Sequence, residues 1–451
     1  MSPSVLEPGG RRPRRWIRWA AAAVVLVAGV AVAAYFVFAK APGNVSHPDV
    51  EFSAPQPAPK PRHTTTGRDW PLYGLTPQRT RFMADVSVRP PYRVLWRFGG
   101  SRSLIEFQPV LAKGVLYMLE NSGKAYALSA RSGKVLWSRR VGALAASSPA
   151  WSGGRVFMVA NSAGSAGISS AGPGSVWCLD AKTGHVAWRK HLASASESSP
   201  LVTGGRVYVG SQDGTVYALN AATGAIRWRW RAGGAVKAGV AMSQGRLFVG
   251  DYGGDVTALR AGNGSVIWRA GTAGRSFSRA GNFYATPAVA FGRVYAGNTD
   301  GFVYSFAARS GQLAWRESTG GYVYAAPAAA ALPGMPPAIF TGSYDGHFYA
   351  FDARSGKVIW KHTAGGTISG APSVIGRVVY FSTLSKRTTT GLDARTGHVV
   401  WSFRRGAFNP AISDGLRLYI TGYSSLYAFK PRNSATASKR ASRAGAGAHV
   451  T

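Results

Sequence analysis

Cysteine is almost missing: Cys178 is the single one in 451 residues. That excludes an internal disulfide and any site built on paired thiolates. Carboxylates are also scarce, with 18 Asp and Glu against 53 Lys and Arg. Few are left over for general acid–base work or for holding a hard cation. No Gly-x-Ser-x-Gly, His-Glu-x-x-His or Gly-x-x-x-x-Gly-Lys-Ser/Thr occurs, so serine-hydrolase, zinc-protease and phosphate-loop chemistry have no foothold. His185 and His398 stand where other copies of a repeat have Lys134 and Lys357, and His191, His347 and His362 lack metal-ligand spacing. These shortages point away from an enzyme. No catalytic residue, metal or cofactor is expected.

What the chain has in abundance is one repeated unit. In the copy from Pro200 to Trp228, Arg206–Gly210 is a β-branched and aromatic run and Asp213-Gly214 is a hairpin turn. A second apolar run, Val216–Leu219, reads as a strand covered on both faces. Thr223-Gly224 turns the chain again, and Ala225–Trp228 ends on a large apolar anchor. The Ser-Pro-Leu-Val segment before Gly204 supplies a first, inner strand. Such a four-stranded sheet cannot bury both faces alone, but stacked copies can.

The terminal Trp recurs at Trp96, Trp137, Trp188, Trp228, Trp268, Trp315, Trp360 and Trp401, at spacings of 40 to 51 residues. Four strands at that period are the signature of a β-propeller. Tyr92–Phe98 has no blade of its own, and the last copy (Pro410, Leu416–Thr421, Ser425–Phe429) lacks an outer strand. Joining them predicts an all-β, eight-bladed ring of four-stranded blades with no open seam, expected to be monomeric.

The pieces Leu-Asp-Ala-Lys-Thr-Gly-His-Val-Ala-Trp (179–188), Phe-Asp-Ala-Arg-Ser-Gly-Lys-Val-Ile-Trp (351–360) and Leu-Asp-Ala-Arg-Thr-Gly-His-Val-Val-Trp (392–401) resemble the pyrroloquinoline-quinone-like (PQQ-like) propeller repeat. The resemblance runs from about Arg93 to Lys430. It implies the fold. For function it implies two unlike roles, that of the propeller lipoprotein of outer-membrane protein assembly and that of the quinone-dependent dehydrogenases. The first carries a lipid-attached Cys near its N-terminus, and Cys178 is no counterpart. The second holds its quinone over the central channel with Ca²⁺ on acidic and amide ligands, in many members beside a vicinal disulfide that a single Cys excludes.

Outside the repeats, residues 1–19 are basic, with Arg11, Arg12, Arg14, Arg15 and Arg18, and residues 20–39 are uncharged. Twenty helical residues rise about 30 Å, a bilayer core. The sequence therefore predicts a single-pass signal anchor in the cell membrane, with a cytoplasmic N-terminus and an extracytoplasmic propeller. A cleaved signal peptide is the competing reading. Residues 40–68 read as a Pro-rich linker, 69–430 as the propeller and 431–451 as a disordered basic tail.

Residues 69–430 keep 40 basic and 15 acidic side chains, an excess that favours anionic partners. Outside a membrane those are anionic lipid, wall polymer or an acidic envelope protein, and no nucleic acid is expected. Three enlarged connections fall on one predicted face. Between Trp268 and Pro287 stand Arg275, Phe277, Arg279, Phe283 and Tyr284; 161–174 is Gly/Ser-rich; a third carries Lys386 and Arg387. Tyr322 and Tyr324 lie on the next connection. Basic and aromatic side chains on long loops of a rigid scaffold suit an anionic or sugar-like ligand. The sequence thus predicts a non-catalytic binding or assembly scaffold that binds through Arg275, Phe277, Arg279, Phe283, Tyr284, Tyr322, Lys386 and Arg387. A PQQ-dependent dehydrogenase-like enzyme and a ligand-sensing ectodomain are the alternatives.

Overall fold

The repeated Trp and Gly are two halves of one joint. In the computed structural model of the chain, seven of the eight outer-strand Trp residues, all but Trp401, lie over the Thr-Gly, Ser-Gly or Asn-Gly turn of the next blade. A β-carbon on Gly224 would stand 2.6 Å from Trp188 Cε3, and one on Gly264 would stand 2.7 Å from Trp228 Cε3. The indole Nε1 of Trp188 donates to Ala221 O at 3.0 Å, that of Trp228 to Ala261 O at 3.1 Å, and that of Trp315 to Ala353 O at 2.9 Å. A polar handle on a large apolar ring therefore fixes both the spacing and the angle between blades.

The structure describes residues 19, 23–30, 43–55, 67–86, 88–99, 103–164, 167–272, 281–406 and 408–432. Eight antiparallel sheets of four strands form the propeller, two of them extended by a short fifth strand. Blade 3 is representative: Leu201–Thr203, Arg206–Gly210, Thr215–Asn220 and Ile226–Arg231, from hub to rim. The other blades follow in chain order from blade 1, which starts at Val110. Second and third strands are buried on both faces, as their unbroken apolar runs require. Blade 8 is closed as the sequence predicts. Tyr92–Gly99 pairs antiparallel with Ser425–Pro431, and the Tyr92 hydroxyl meets that of Tyr380 in blade 7.

One face carries the turns between second and third strands and the connections from each outer strand to the next inner strand. It is called the loop face here. The Thr-Gly turns lie on the other face.

Two stretches before the repeats are part of the ring. Residues 67–83 enter the hub and run past the inner strands. Trp70 exchanges backbone hydrogen bonds with Leu111 of blade 1. The carbonyls of Pro71, Pro77, Gln78, Thr80 and Arg81 then accept from Trp151, Met242, Val289, Ala329 and Val374, in blades 2, 4, 5, 6 and 7. Arg79, fully buried, reaches blade 3 by donating to Ser199 O and Pro200 O. The arm satisfies hub-edge amides that have no further strand to pair with. Earlier, residues 44–53 lie along the rim of blade 5. Val45–Ser46 pairs with Leu313–Ser318, and the buried Arg293 donates to Pro48 O and Val50 O, both at 2.8 Å. This part of the stretch read as linker is packed against the propeller.

The single-pass anchor over 20–39 is not carried by the structure. The described helical residues there are 19 and 23–30, and among the described residues no helix is long and apolar enough to cross a membrane. Eight helical residues rise about 12 Å, against a bilayer core of about 30 Å. The cell-membrane localisation built on that span is corrected accordingly. Most of residues 1–42, and residues 433–451 of the basic tail, lie outside the described residues.

Candidate functional site

The connections from outer to inner strands converge on the axis of the loop face. There they line a cavity of about 50 Å³ whose walls include Tyr73, Glu106, Glu197, Lys237, Tyr284 and Tyr324. That volume holds a few water molecules. Tyr73, from the hub arm, forms part of its wall. Its ring lies against Phe107 and under the Arg81 guanidinium, 4.5 Å from the ring centre, and its hydroxyl donates to Asn409 Oδ1 at 3.2 Å.

The two carboxylates are held differently. Glu197 accepts from Lys237 Nζ at 2.9 Å, Gln212 Nε2 at 2.7 Å and the Tyr284 hydroxyl at 3.4 Å. Glu106 accepts from Asn121 Nδ2 at 3.0 Å. Burial pushes the Glu106 carboxyl above the usual range and the field of Glu197 adds to this, while the Asn121 bond opposes it. Burial likewise raises Tyr284 and Tyr252, again helped by Glu197. These tyrosines are donors rather than phenolates at neutral pH.

From the cavity rim a tyrosine cluster spreads outward. Ring centres are 6.2 Å apart for Tyr252–Tyr284, 5.3 Å for Tyr284–Tyr324, 4.8 Å for Tyr324–Tyr344 and 5.9 Å for Tyr322–Tyr324. Tyr322 is 54% exposed. Tyr252 and Tyr344 come from the turns between second and third strands, and Tyr284, Tyr322 and Tyr324 from the connections. Two kinds of loop thus meet on one face.

The residues singled out from the sequence fare unequally. Tyr284 and Tyr322 join this cluster. Phe283 is fully buried against Tyr304 and Phe306, part of the packing between blades 4 and 5. Lys386 and Arg387 are exposed on the loop face of blade 7. Arg387 stacks over Tyr423 of blade 8 at 4.0 Å, outside the tyrosine cluster. Arg275, Phe277 and Arg279 lie outside the described residues. The enlarged segment 161–174 belongs to a lengthened hairpin whose Asn161 exchanges hydrogen bonds with Ser196. Sequence reasoning passed over Glu106, Glu197, Lys237, Tyr252 and Tyr344. A signal existed: Asn121, Gln212, Tyr252 and Tyr344 share one repeat position in the second turn, and Asn121 and Gln212 reach the two carboxylates.

The sequence matches the family model described as outer membrane protein assembly factor BamB over residues 87–171, 161–332 and 299–446. No curated protein matches it. Among solved structures it is similar to BamB from Moraxella catarrhalis, at 18% identity and a TM-score of 0.61, covering 75% of this chain and 100% of that one. It is also similar to the quinohemoprotein alcohol dehydrogenase ADHIIG from Pseudomonas putida HK5, at 14% identity and a TM-score of 0.66, covering 80% of each chain. A europium-containing methanol dehydrogenase matches at 14% identity and a TM-score of 0.66, covering 80% of this chain and 98% of that one. At these identities the likeness is one of fold.

Proposed function

The chain belongs to the family of outer membrane protein assembly factor BamB, and from that premise we propose that it is a non-catalytic scaffold docking a partner protein on its loop face. The tyrosine cluster beside the small axial cavity carries this reading. Tyrosines offer large, stiff, amphipathic contact area and are favoured anchors at interfaces. Five of them stand together on a face whose axial cavity, among the described residues, holds about 50 Å³. Lys386, Arg387 and Tyr423 extend the same face. An acidic segment of the partner suits them. Family membership favours an envelope-assembly protein as that partner.

The quinone-dependent dehydrogenase is the second reading, favoured by the fold likeness to two dehydrogenases. The residues present do not fit the group. Cofactor pockets run to about 300–1,000 Å³, and the axial cavity has about 50 Å³. Among the described residues no three His, Cys, Asp or Glu side chains gather to hold a metal. Glu197 is already engaged by Lys237.

The test is replacement of Tyr322 and Tyr344 together by Ser, followed by co-purification from cells. Loss of a stoichiometric partner with the fold intact supports docking. An unchanged complex sinks the site. A spectral change on adding quinone with Ca²⁺ would favour the dehydrogenase instead.

A further inference from the structure

The outer strands hold a concentration of positive charge that the loop face does not use. Across the eight of them stand twelve Lys and Arg and one carboxylate, Glu317. Glu317 is on blade 5, whose rim is covered by Val45–Ser46. The densest arc lies between blades 2 and 3.

In Ile226–Arg231 burial alternates: Ile226, Trp228 and Trp230 are half-buried, and Arg227, Arg229 and Arg231 are exposed. Trp228 faces blade 4, where its Nε1 donates to Ala261 O. Strand alternation therefore turns Arg229 and Arg231 toward blade 2, while Arg227 is the extra residue of a β-bulge opposite Ala218 and Leu219. On the outer strand of blade 2, Val186–His191, Trp188 faces blade 3 and donates to Ala221 O. Lys190, two residues on, shares that side. The rim seam between the blades thus has Lys190 on one wall and Arg229 and Arg231 on the other, with Arg227 at the bulge beside them. Along the strand Arg229 and Arg231 stand ~6.6–6.8 Å apart. None of the four has a carboxylate within salt-bridge distance among the described residues; the field of Arg231 reaches Asp213 at the loop-face end.

Charge on an edge strand also discourages sheet-to-sheet pairing. That role does not account for this row. Val399–Phe403, the outer strand of blade 7, has no charged residue at all. Protection of an edge also sets no spacing and does not require both walls of one seam to be filled.

We propose that the seam between blades 2 and 3 binds a linear polyanion, whose regularly spaced anionic groups lie between Arg229 and Arg231 on one wall and Lys190 on the other. Guanidinium forks match phosphate and carboxylate oxygens alike. The partner class is independent of the loop-face protein, and either reading can fail alone.

The experiment titrates the full chain with inorganic polyphosphate and, separately, with polygalacturonate, across a range of salt. Three variants are compared: Lys190, Arg229 and Arg231 all to Ser; Arg229 and Arg231 both to Lys; and a control, Arg131, Lys182 and Lys357 all to Ser. The control removes equal charge from exposed turns on the opposite face. The seam variant should bind at least about tenfold more weakly, with a log–log salt slope shallower by about 2, from ~0.7 per lost contact. The Lys variant should keep the slope, which guards against misfolding as the cause, and the control should bind like the parent. Seam-dependent binding of one polymer alone identifies phosphate or carboxylate as the group recognised. Binding of neither, or equal loss in seam variant and control, overturns the proposal.

Discussion

Alanine at Gly224 and alanine at Gly205 separate two costs within one blade. Both glycines have positive φ, +74° and +70°. A side chain in that conformation costs roughly 1–2 kcal/mol. At Gly205 nothing lies within 4 Å of the added carbon, so the backbone term should be the whole effect. At Gly224 the carbon would stand 2.6 Å from Trp188 Cε3 and 2.8 Å from Cδ2. The indole must then move, and overpacking of this kind costs about 1–3 kcal/mol. Moving it also stretches the 3.0 Å bond from Trp188 Nε1 to Ala221 O. Gly224→Ala should thus destabilise by about 2–5 kcal/mol and Gly205→Ala by about 1–2 kcal/mol. Urea unfolding followed by fluorescence reads the difference as a midpoint shift at unchanged slope. Replacing Trp188 by Ala should abolish the extra cost, a coupling between two residues in contact. Equal midpoints for the two glycine variants would refute the idea that the Trp–Gly joint sets blade spacing.

Three further outcomes follow from the same geometry. Arg293→Met keeps the apolar stem but leaves the Val50 and Arg354 carbonyls without their side-chain donor and takes one of several donors from Pro48 O and Ala353 O. Amide exchange at His47 and Ser53 should then rise by at least tenfold, hydrogen bonds to charged groups being worth about 1.5–3 kcal/mol; unchanged exchange would mean the rim segment is held by other contacts. The raised Glu106 carboxyl binds its proton more tightly folded than unfolded, so stability should fall as pH rises from the ordinary Glu range through its raised folded value. Glu106→Gln should remove that fall, and an identical pH profile in the variant would argue against it. Arg79→Met removes the donor to Tyr73 O, Val240 O, Ser199 O and Pro200 O. It should cost about 3–5 kcal/mol by leaving buried carbonyls unpaired, read as a lowered unfolding midpoint, and a neutral result would show the hub arm is not a stabilising plug.

The fold was legible because its period is written in large residues. A Trp in the fourth strand marks every blade, a Gly in the turn covered by the preceding Trp marks blades 1 to 7, and the incomplete ends complement each other at Tyr92–Gly99 and Ser425–Pro431. The hub arm was not legible. Its bonds run from its own carbonyls to blade amides, and such pairing leaves no side-chain pattern. Arg79 and Arg81 look like surface residues in the sequence, yet both are fully buried. The site was half legible. Tyr284 and Tyr322 were visible as aromatics on connections, but Phe283, beside Tyr284, points into the core, since adjacent residues in extended chain face opposite ways. Glu106 and Glu197, scattered by sequence position, line one cavity because seven connections converge on it. Net charge suggested an anionic ligand for the loops. The axial cavity is instead lined by two carboxylates, and the rim carries much of the positive charge.

The most direct test of the scaffold reading places a photo-crosslinking residue at Tyr322, on the loop face, and in a separate protein at Lys182, on the opposite face. After irradiation in cells, products are identified by mass spectrometry. The account predicts one discrete protein adduct from position 322, lost when Tyr344 is also replaced by Ser, and none from position 182. The same adducts from both positions, or none from 322, would contradict docking on the tyrosine face.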